Sequence, residues 1–229
     1  MGIATRLRLA RLLLITDLRS GDLAEFVAAT ASAGVDVLQL RDPKAGPQAL
    51  ADGFATARAN LSNRDALLGL YDTVELAHEA KADLLQLSER GAPTAAARAE
   101  VHPWAVLGRS CHSRRQVDAA LADPEVNFLT VGPVAGGLFG AGGLDLIEYA
   151  AAQAPQNDPA AKPWFAIGGV TADNLEAVLA AGARRIAVSR AITAAEQPAE
   201  AARALKARLV QAWNDDPGME QVTFAAFRP

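Results

Sequence analysis

Short apolar runs alternate with Ala-rich stretches of helical period along most of the chain, and this alternation constrains the fold more than any other feature. The runs fall at Leu12–Thr16, Val35–Leu40, Ala66–Leu70, Leu84–Leu87, Ala105–Leu107, Phe128–Val131, Trp164–Ile167 and Ile186–Val188. Their length suits strands buried on both faces. Helical periodicity occupies Leu23–Ala33, Gln48–Leu61, Val74–Ala80, Thr94–Ala99, Arg114–Leu121, Leu144–Ala152, Asn174–Ala181 and Pro198–Trp213. Asp22, Ser113 and Thr171 stand where helices should start, and Gly34 and Gly182 where helices should stop. Strands that alternate with helices build a parallel sheet, and eight such units predict closure into a (β/α)8 TIM barrel.

The chain has 229 residues, a length that barrels often reach as one domain. No Pro/Gly/Ser linker divides it, so we expect one barrel domain over 1–213 and a tail over 214–229. Pro155–Lys162 reads as a surface loop before the seventh strand. The segment Val222–Phe227 fits an arm, a dimer contact that would make a homo-oligomer, or disorder. A formal charge of −4 with no Lys/Arg block argues against nucleic acid as a partner. One cysteine, Cys111, excludes a disulfide framework within the chain and suits a buried inert thiol. No apolar run reaches membrane-span length, and Leu12–Ile15 is too short for a signal peptide. These features predict a soluble protein of a reducing, cytoplasmic compartment.

In such a barrel the residues after each strand carry the chemistry. Gln39, Arg41 and Lys44 follow the second strand and suit a phosphate or diphosphate, since Arg offers a fork and Lys a point charge; a solvated loop accounts for them equally. Asp72 follows the third strand and suits either Mg²⁺ or a helix cap. Ser88-Glu89-Arg90 follows the fourth. Ser110 and His112 follow the fifth, beside a helix start at Ser113, and suit a second anion or simple capping. Gly168-Gly169 after the seventh strand lets backbone approach an anion, and Ser189-Arg190 follows the eighth. An ordinary strand-to-helix turn is the plainer account of the glycine pair. His78 and His102 read as a helix-surface and a loop residue, and no two histidines have metal-ligand spacing.

Taken in order, Gln-Leu-Arg at 39–41, Gly-Arg-Ser-Cys-His at 108–112, Val-Gly-Pro-Val at 131–134, Ala-Ile-Gly-Gly-Val at 166–170 and Ala-Val-Ser-Arg-Ala-Ile at 187–192 resemble thiamine phosphate synthase. The likeness runs from about Leu12 to Gln197, is closest to actinobacterial members over Lys162–Gln197, and extends to the related thiazole tautomerases. It implies coupling of hydroxymethylpyrimidine diphosphate to a thiazole phosphate with Mg²⁺ as cofactor. By matching position, Gln39, Arg41 and Lys44 would handle the diphosphate, and Asp72 would hold Mg²⁺. Ser110 would lie near the leaving group or the pyrimidine cation, and Gly168, Gly169 and Ser189 would hold the thiazole phosphate beside Arg190.

The chain departs from the family in four places. Tyr71-Asp72-Thr73 replaces Asn-Asp-Arg. Gln86-Leu87-Ser88-Glu89-Arg90-Gly91 replaces His-Leu-Gly-Gln-x-Asp, so that Gly91 stands for a second Mg²⁺ ligand that Glu89 would have to replace. Ala135–Gly140 lacks the Thr-x-Thr-Lys run, and Lys44 is displaced by Pro43. The resemblance therefore implies a synthase of weak or lost activity. It leaves open a non-catalytic or regulatory barrel that binds thiazole phosphate, and a tautomerase-like isomerase. For the isomerase, His112 is the one candidate base, because the tautomerase histidine is replaced by Pro133.

Overall fold

The computed structural model describes residues 1–19, 22–61, 66–135 and 142–227. In chain order its elements are α1 (Ile3–Leu9), β1 (Leu12–Thr16), α2 (Leu23–Ser32), β2 (Val37–Leu40), α3 (Pro47–Asn60), β3 (Leu67–Tyr71), α4 (Val74–Glu79), β4 (Leu84–Leu87), α5 (Thr94–Glu100) and β5 (Val106–Cys111). The order continues with α6 (Arg114–Ala122), β6 (Phe128–Val131), α7 (Leu144–Gln153), β7 (Trp164–Ile167), α8 (Leu175–Ala180), β8 (Ile186–Val188), α9 (Arg190–Thr193), α10 (Pro198–Asn214) and α11 (Gly218–Ala226). The eight strands pair in parallel in this order, and β8 closes on β1. The fold is the (β/α)8 barrel that the alternation predicts.

Successive side chains on a strand point to opposite faces. Inward, Leu13, Val37, Leu67, Leu84, Val106, Phe128, Phe165 and Ala187 form one interior cluster, one residue per strand. Outward, Leu12, Leu14, Leu38, Leu40, Leu85 and Leu87 join the larger cluster under the helices. Leu7 of α1 and Ala10, the C-cap that follows it, join the interior cluster, so this segment stoppers the barrel at its N-terminal end. Two helix stops behave as expected: Gly34 and Gly182 have φ of +102° and +99°, a conformation that glycine adopts without strain.

Four local expectations are corrected. The fifth strand runs on to Cys111, because Gly108 to Cys111 pair with Phe128 to Val131; Ser110 therefore lies within a strand and not in the loop after it. Strand β2 begins at Val37, since Asp36 turns its carboxylate to the N–H groups of Arg11 (2.7 Å) and Leu12 (2.9 Å). Thr171 lies ahead of α8, whose N-cap is Asn174. The tail forms α11, which packs on α1 and gathers Met219 and Val222 against Trp213.

The N-terminal end of the barrel is held by charge. Asp36 also forms an ion pair with Lys206 of α10, whose pKa is lowered by burial against the opposing pull of Asp36. Arg185, 2 % exposed, donates to the carbonyl of Arg8 (2.8 Å) and to Gln156 Oε1, and its guanidinium lies 4.9 Å from the Trp213 ring centroid. Arg11 stacks on the same ring at 4.3 Å. Burial, then the charges of Arg11 and Arg8, push the Arg185 pKa down to about 9. Conservation of such contacts at this face would speak for stability rather than catalysis.

Asp36→Ala removes the acceptor for two backbone N–H groups and leaves Lys206 with its half-buried charge unpaired. We expect a loss of roughly 2–4 kcal/mol, or about 5–15 °C in melting temperature. A calorimetric melt unchanged within a degree or so would contradict this role.

Candidate active site

A cavity of about 1100 Å³ opens at the C-terminal ends of β1, β2, β7 and β8. Arg19, Arg41, Lys44, Gly168, Gly169, Ser189 and Arg190 line it, with Asp17 and Asp42 as the acidic members. Asp42 is engaged by its own loop: it accepts N–H bonds from Leu18 (3.3 Å) and Lys44 (3.0 Å). Arg19 is likewise held, donating to the Thr193 carbonyl (3.1 Å) and pairing with Asp22 (3.3 Å). Arg41 lies over the Tyr71 ring at 4.6 Å. Among the described residues Arg41, Lys44 and Arg190 form no direct ion pair, so three cations line the cavity beside the carboxylates of Asp17 and Asp42.

The loops after β7 and β8 supply the complementary neutral donors. Val134 N–H binds the Ile167 carbonyl (2.9 Å), Ala135 N–H binds the Gly168 carbonyl (2.9 Å), and Asn174 Nδ2 binds the Gly169 carbonyl (2.8 Å). Asn174 Oδ1 also accepts from Thr171 N–H (2.9 Å). The carbonyls of this turn are thus consumed. The N–H groups of Gly169, Val170 and Ser189 donate to no acceptor among the described residues. Gly168 and Gly169 have φ of +90° and +82°, and a Cβ on Gly169 would lie 2.4 Å from Ala135 Cβ. The glycine pair therefore serves both a left-handed backbone and a close approach of the β6 loop, more than an ordinary turn requires.

Gln39 and Ser110 do not line this cavity. Both project into the barrel interior, Gln39 at 0 % exposure and Ser110 at 6 %. Neither Gln39 Nε2 nor Oε1 has a partner among the described residues. Gln86 Nε2 donates to Ser110 Oγ (2.9 Å) and Thr130 Oγ1 (2.5 Å). Gln86 and Thr130 are fully buried in the same interior layer. The available signal was a single polar residue inside an apolar run, two positions along from an inward-facing one.

His112 is exposed, with Nδ1 against the Gly132 carbonyl (2.9 Å) and its N–H bound to Gln116 Oε1 (2.6 Å). Ser113 caps α6 by accepting from Gln116 N–H. Ser-x-x-Gln at 113–116 is the spacing of a capping box, which singles out Gln116 from sequence alone. Cys111 is buried, and burial pushes its thiol up to about 12, against the opposing charge of Arg109.

The acidic residues separate. Asp72 Oδ1 accepts from Ser88 N–H (2.7 Å), so it ties β3 to the β4 loop instead of capping α4, whose N-cap is Thr73. Glu89 lines a different, smaller cavity with Arg109, Ser110, Arg115 and Asp123. A Cβ on Gly91 would lie 2.3 Å from Asp72 Oδ1, so position 91 abuts Asp72 and carries no carboxylate of its own. No group of three His, Cys, Asp or Glu able to hold a metal occurs among the described residues. The residues present do not fit a two-carboxylate Mg²⁺ site. Of the loop Ala135–Gly143, residues 136–141 lie outside the described residues.

The fold and mouth define a (β/α)8 barrel whose C-terminal end carries a cavity lined by Arg41, Lys44, Arg190 and the glycine turn. Residues 12–192 match the thiamine monophosphate synthase family. Thiamine-phosphate synthases of Mycobacterium marinum and Thermobifida fusca are 44% and 42% identical, over 91% and 90% of this chain and 99% and 95% of theirs. The thiamine phosphate pyrophosphorylase of Pyrococcus furiosus superposes with a TM-score of 0.79 at 26% identity, covering 92% of this chain and 99% of that one. The orotidine 5'-phosphate decarboxylase of Pyrococcus horikoshii, at 15% identity and a TM-score of 0.63, shares the barrel fold. The chain belongs to the thiamine monophosphate synthase family.

Two measurements follow from this geometry. Gly91→Asp brings a second carboxylate against Asp72, and the pair should recruit a cation to relieve their repulsion. Mg²⁺ alone should raise the melting temperature of that variant and leave the parent unchanged; equal responses would contradict the convergence at position 91. Cys111 should resist alkylation in the native protein near neutral pH and react on unfolding, because its thiolate is withheld below about pH 12. Rapid labelling of the native protein would refute its burial.

Proposed function

We propose that the protein joins hydroxymethylpyrimidine diphosphate to thiazole phosphate, forming thiamine phosphate and diphosphate, more slowly than relatives that carry the complete motifs. The methylene C–O bond breaks with its electron pair leaving on diphosphate. The thiazole nitrogen then donates its pair to the methylene carbon, and the positive charge ends on the thiazolium. The chain's contribution is to hold the two partners in line and to neutralise charge as it develops on the leaving oxygen.

Gly169, Val170 and Ser189 N–H groups would hold the thiazole phosphate, with Arg190 adjacent. Arg41 and Lys44 would face the departing diphosphate. The observation that carries this reading is the pairing of unpartnered N–H groups on one side of a single cavity with three cations that form no ion pair around it. The slower rate follows from Gly91 and from the loop that lacks Thr-x-Thr-Lys, since each missing donor costs about a hundredfold at comparable sites. No helix among the described residues is long and apolar enough to cross a membrane, and we place the reaction in the cytoplasm with small-molecule phosphates as its substrates. His112 gives no support to an isomerase, as it does not line the cavity.

The test is incubation of the purified protein with both substrates and quantification of thiamine phosphate and diphosphate. We expect product in equal amounts of the two. Arg41→Ala should lower kcat/KM by about a hundredfold while the fold, read by melting, is kept. Tight binding of thiazole phosphate with no product at any substrate concentration would replace this reading with a non-catalytic binder.

A further inference from the structure

We propose that Arg19 is a positioning residue for the phosphate-binding end of the cavity: its guanidinium ties the first turn of α2 to α9 and so fixes the backbone N–H of Ser189. This rests on the coupling reaction proposed above, with thiazole phosphate as the ligand of that end. Arg19 lies in the loop after β1 and lines the cavity. Asp22, the N-cap of α2, and Phe26 stand four apart and so lie on one side of its first turn. Together they seat the guanidinium. Its Nε lies 3.3 Å from Asp22 Oδ1 and its Nη2 lies 3.4 Å from Oδ2, while its carbon lies 4.1 Å from the Phe26 ring centroid. Asp22 makes no side-chain cap of α2; its carboxylate is turned to Arg19 instead. The backbone of Arg19 has φ of +48°, which a residue with a Cβ keeps only where its surroundings hold it.

From this seat the guanidinium reaches across the seam between β1 and β8. Its Nη1 donates to the Thr193 carbonyl at the C-terminal end of α9 (3.1 Å). Carbonyls there have no donor within the helix, and a cation is favourable beside them. The hold then passes to the site. The N–H groups of Ile192 and Thr193 both donate to the Ser189 carbonyl (2.9 Å each), so Thr193 is joined to Ser189 directly. A helix of four residues has little stability of its own, and its last anchor decides where its first N–H points. Arg41 and Lys44, at the diphosphate end, are held from elsewhere: Arg41 lies over the Tyr71 ring, and the Lys44 N–H is bound by Asp42. Loss of Arg19 should therefore reach one ligand and spare the other.

Arg19→Met keeps most of the side-chain length and removes every donor. By calorimetric titration we expect it to weaken thiazole phosphate about tenfold, as for loss of a charged hydrogen bond, with hydroxymethylpyrimidine diphosphate within about twofold of the parent. Asp22→Ala decides how Arg19 acts, because two accounts give it opposite signs. An Arg19 that works by its charge, or by touching the phosphate, gains from the loss of a nearby carboxylate, and the anion then binds as well or more tightly. An Arg19 that works by position loses its seat and its hold on the Thr193 carbonyl, and thiazole phosphate weakens by about threefold or more. The two losses should not add in the double variant, since both break one tie.

An Asp22→Ala protein that binds thiazole phosphate as the parent does, or better, overturns the proposal. So does an Arg19→Met protein with unchanged affinity, or one that loses both ligands alike, which is what removed charge or general loosening would give. If Arg19→Met fails to fold, Asp22→Ala decides alone. A parent that binds both ligands but makes no thiamine phosphate refutes the coupling reaction and leaves this series intact. A parent that does not bind thiazole phosphate refutes both.

Discussion

The closure of β8 onto β1 is the contact on which the rest of this structure depends. Leu12, Leu13 and Leu14 pair with Ile186, Ala187 and Val188, residues that are far apart in the chain. That ladder brings the loops after β1 and β2 beside those after β7 and β8, and the cavity lies between these four loops. Without closure, the glycine turn at 168–169 and the cations Arg41 and Lys44 would stand at opposite edges of an open sheet. The N-terminal end is built to protect this contact. Asp36 holds Arg11 and Leu12 where β1 begins, and Arg185, one residue before β8, is tied to Arg8.

The mouth is uneven in its chemistry. On the β7–β8 side, donors and glycines combine into a site suited to a dianion. On the β3–β4 side, Tyr71 sits under Arg41, and Asp72 is drawn into the backbone of the β4 loop. Gly91 offers no second carboxylate. In the interior, glutamines and hydroxyls replace charge. The division follows the motifs: those after β7 and β8 resemble the family's, and the departures fall after β2, β3, β4 and β6.

Much of the fold was legible because periodicity is local. Leu84–Leu87, Trp164–Ile167 and Ile186–Val188 are strands at the bounds their apolar runs predict. Expectations fell short where a distant partner decided the outcome. Gly108-Arg109 looks like a turn until Phe128 and Leu129 pair with it, so Ser110 was placed in a loop when it faces the barrel interior. Helices α1 and α11 are short, and their apolar residues make sense only against the barrel floor and Trp213. For the site, Gly168, Gly169, Ser189, Arg41 and Lys44 were visible as residues after strands. Asn174 was not, because its partners lie in the backbone of a turn.

The central claim is that the N–H groups after β7 and β8 form the phosphate site. Amide chemical-shift mapping with thiazole phosphate tests it most directly. The account predicts the largest shifts, saturating together, at Gly169, Val170 and Ser189, with the amides of α1 and α11 unmoved. Shifts confined to the interior strands or to the N-terminal face, with those three amides silent, would contradict it.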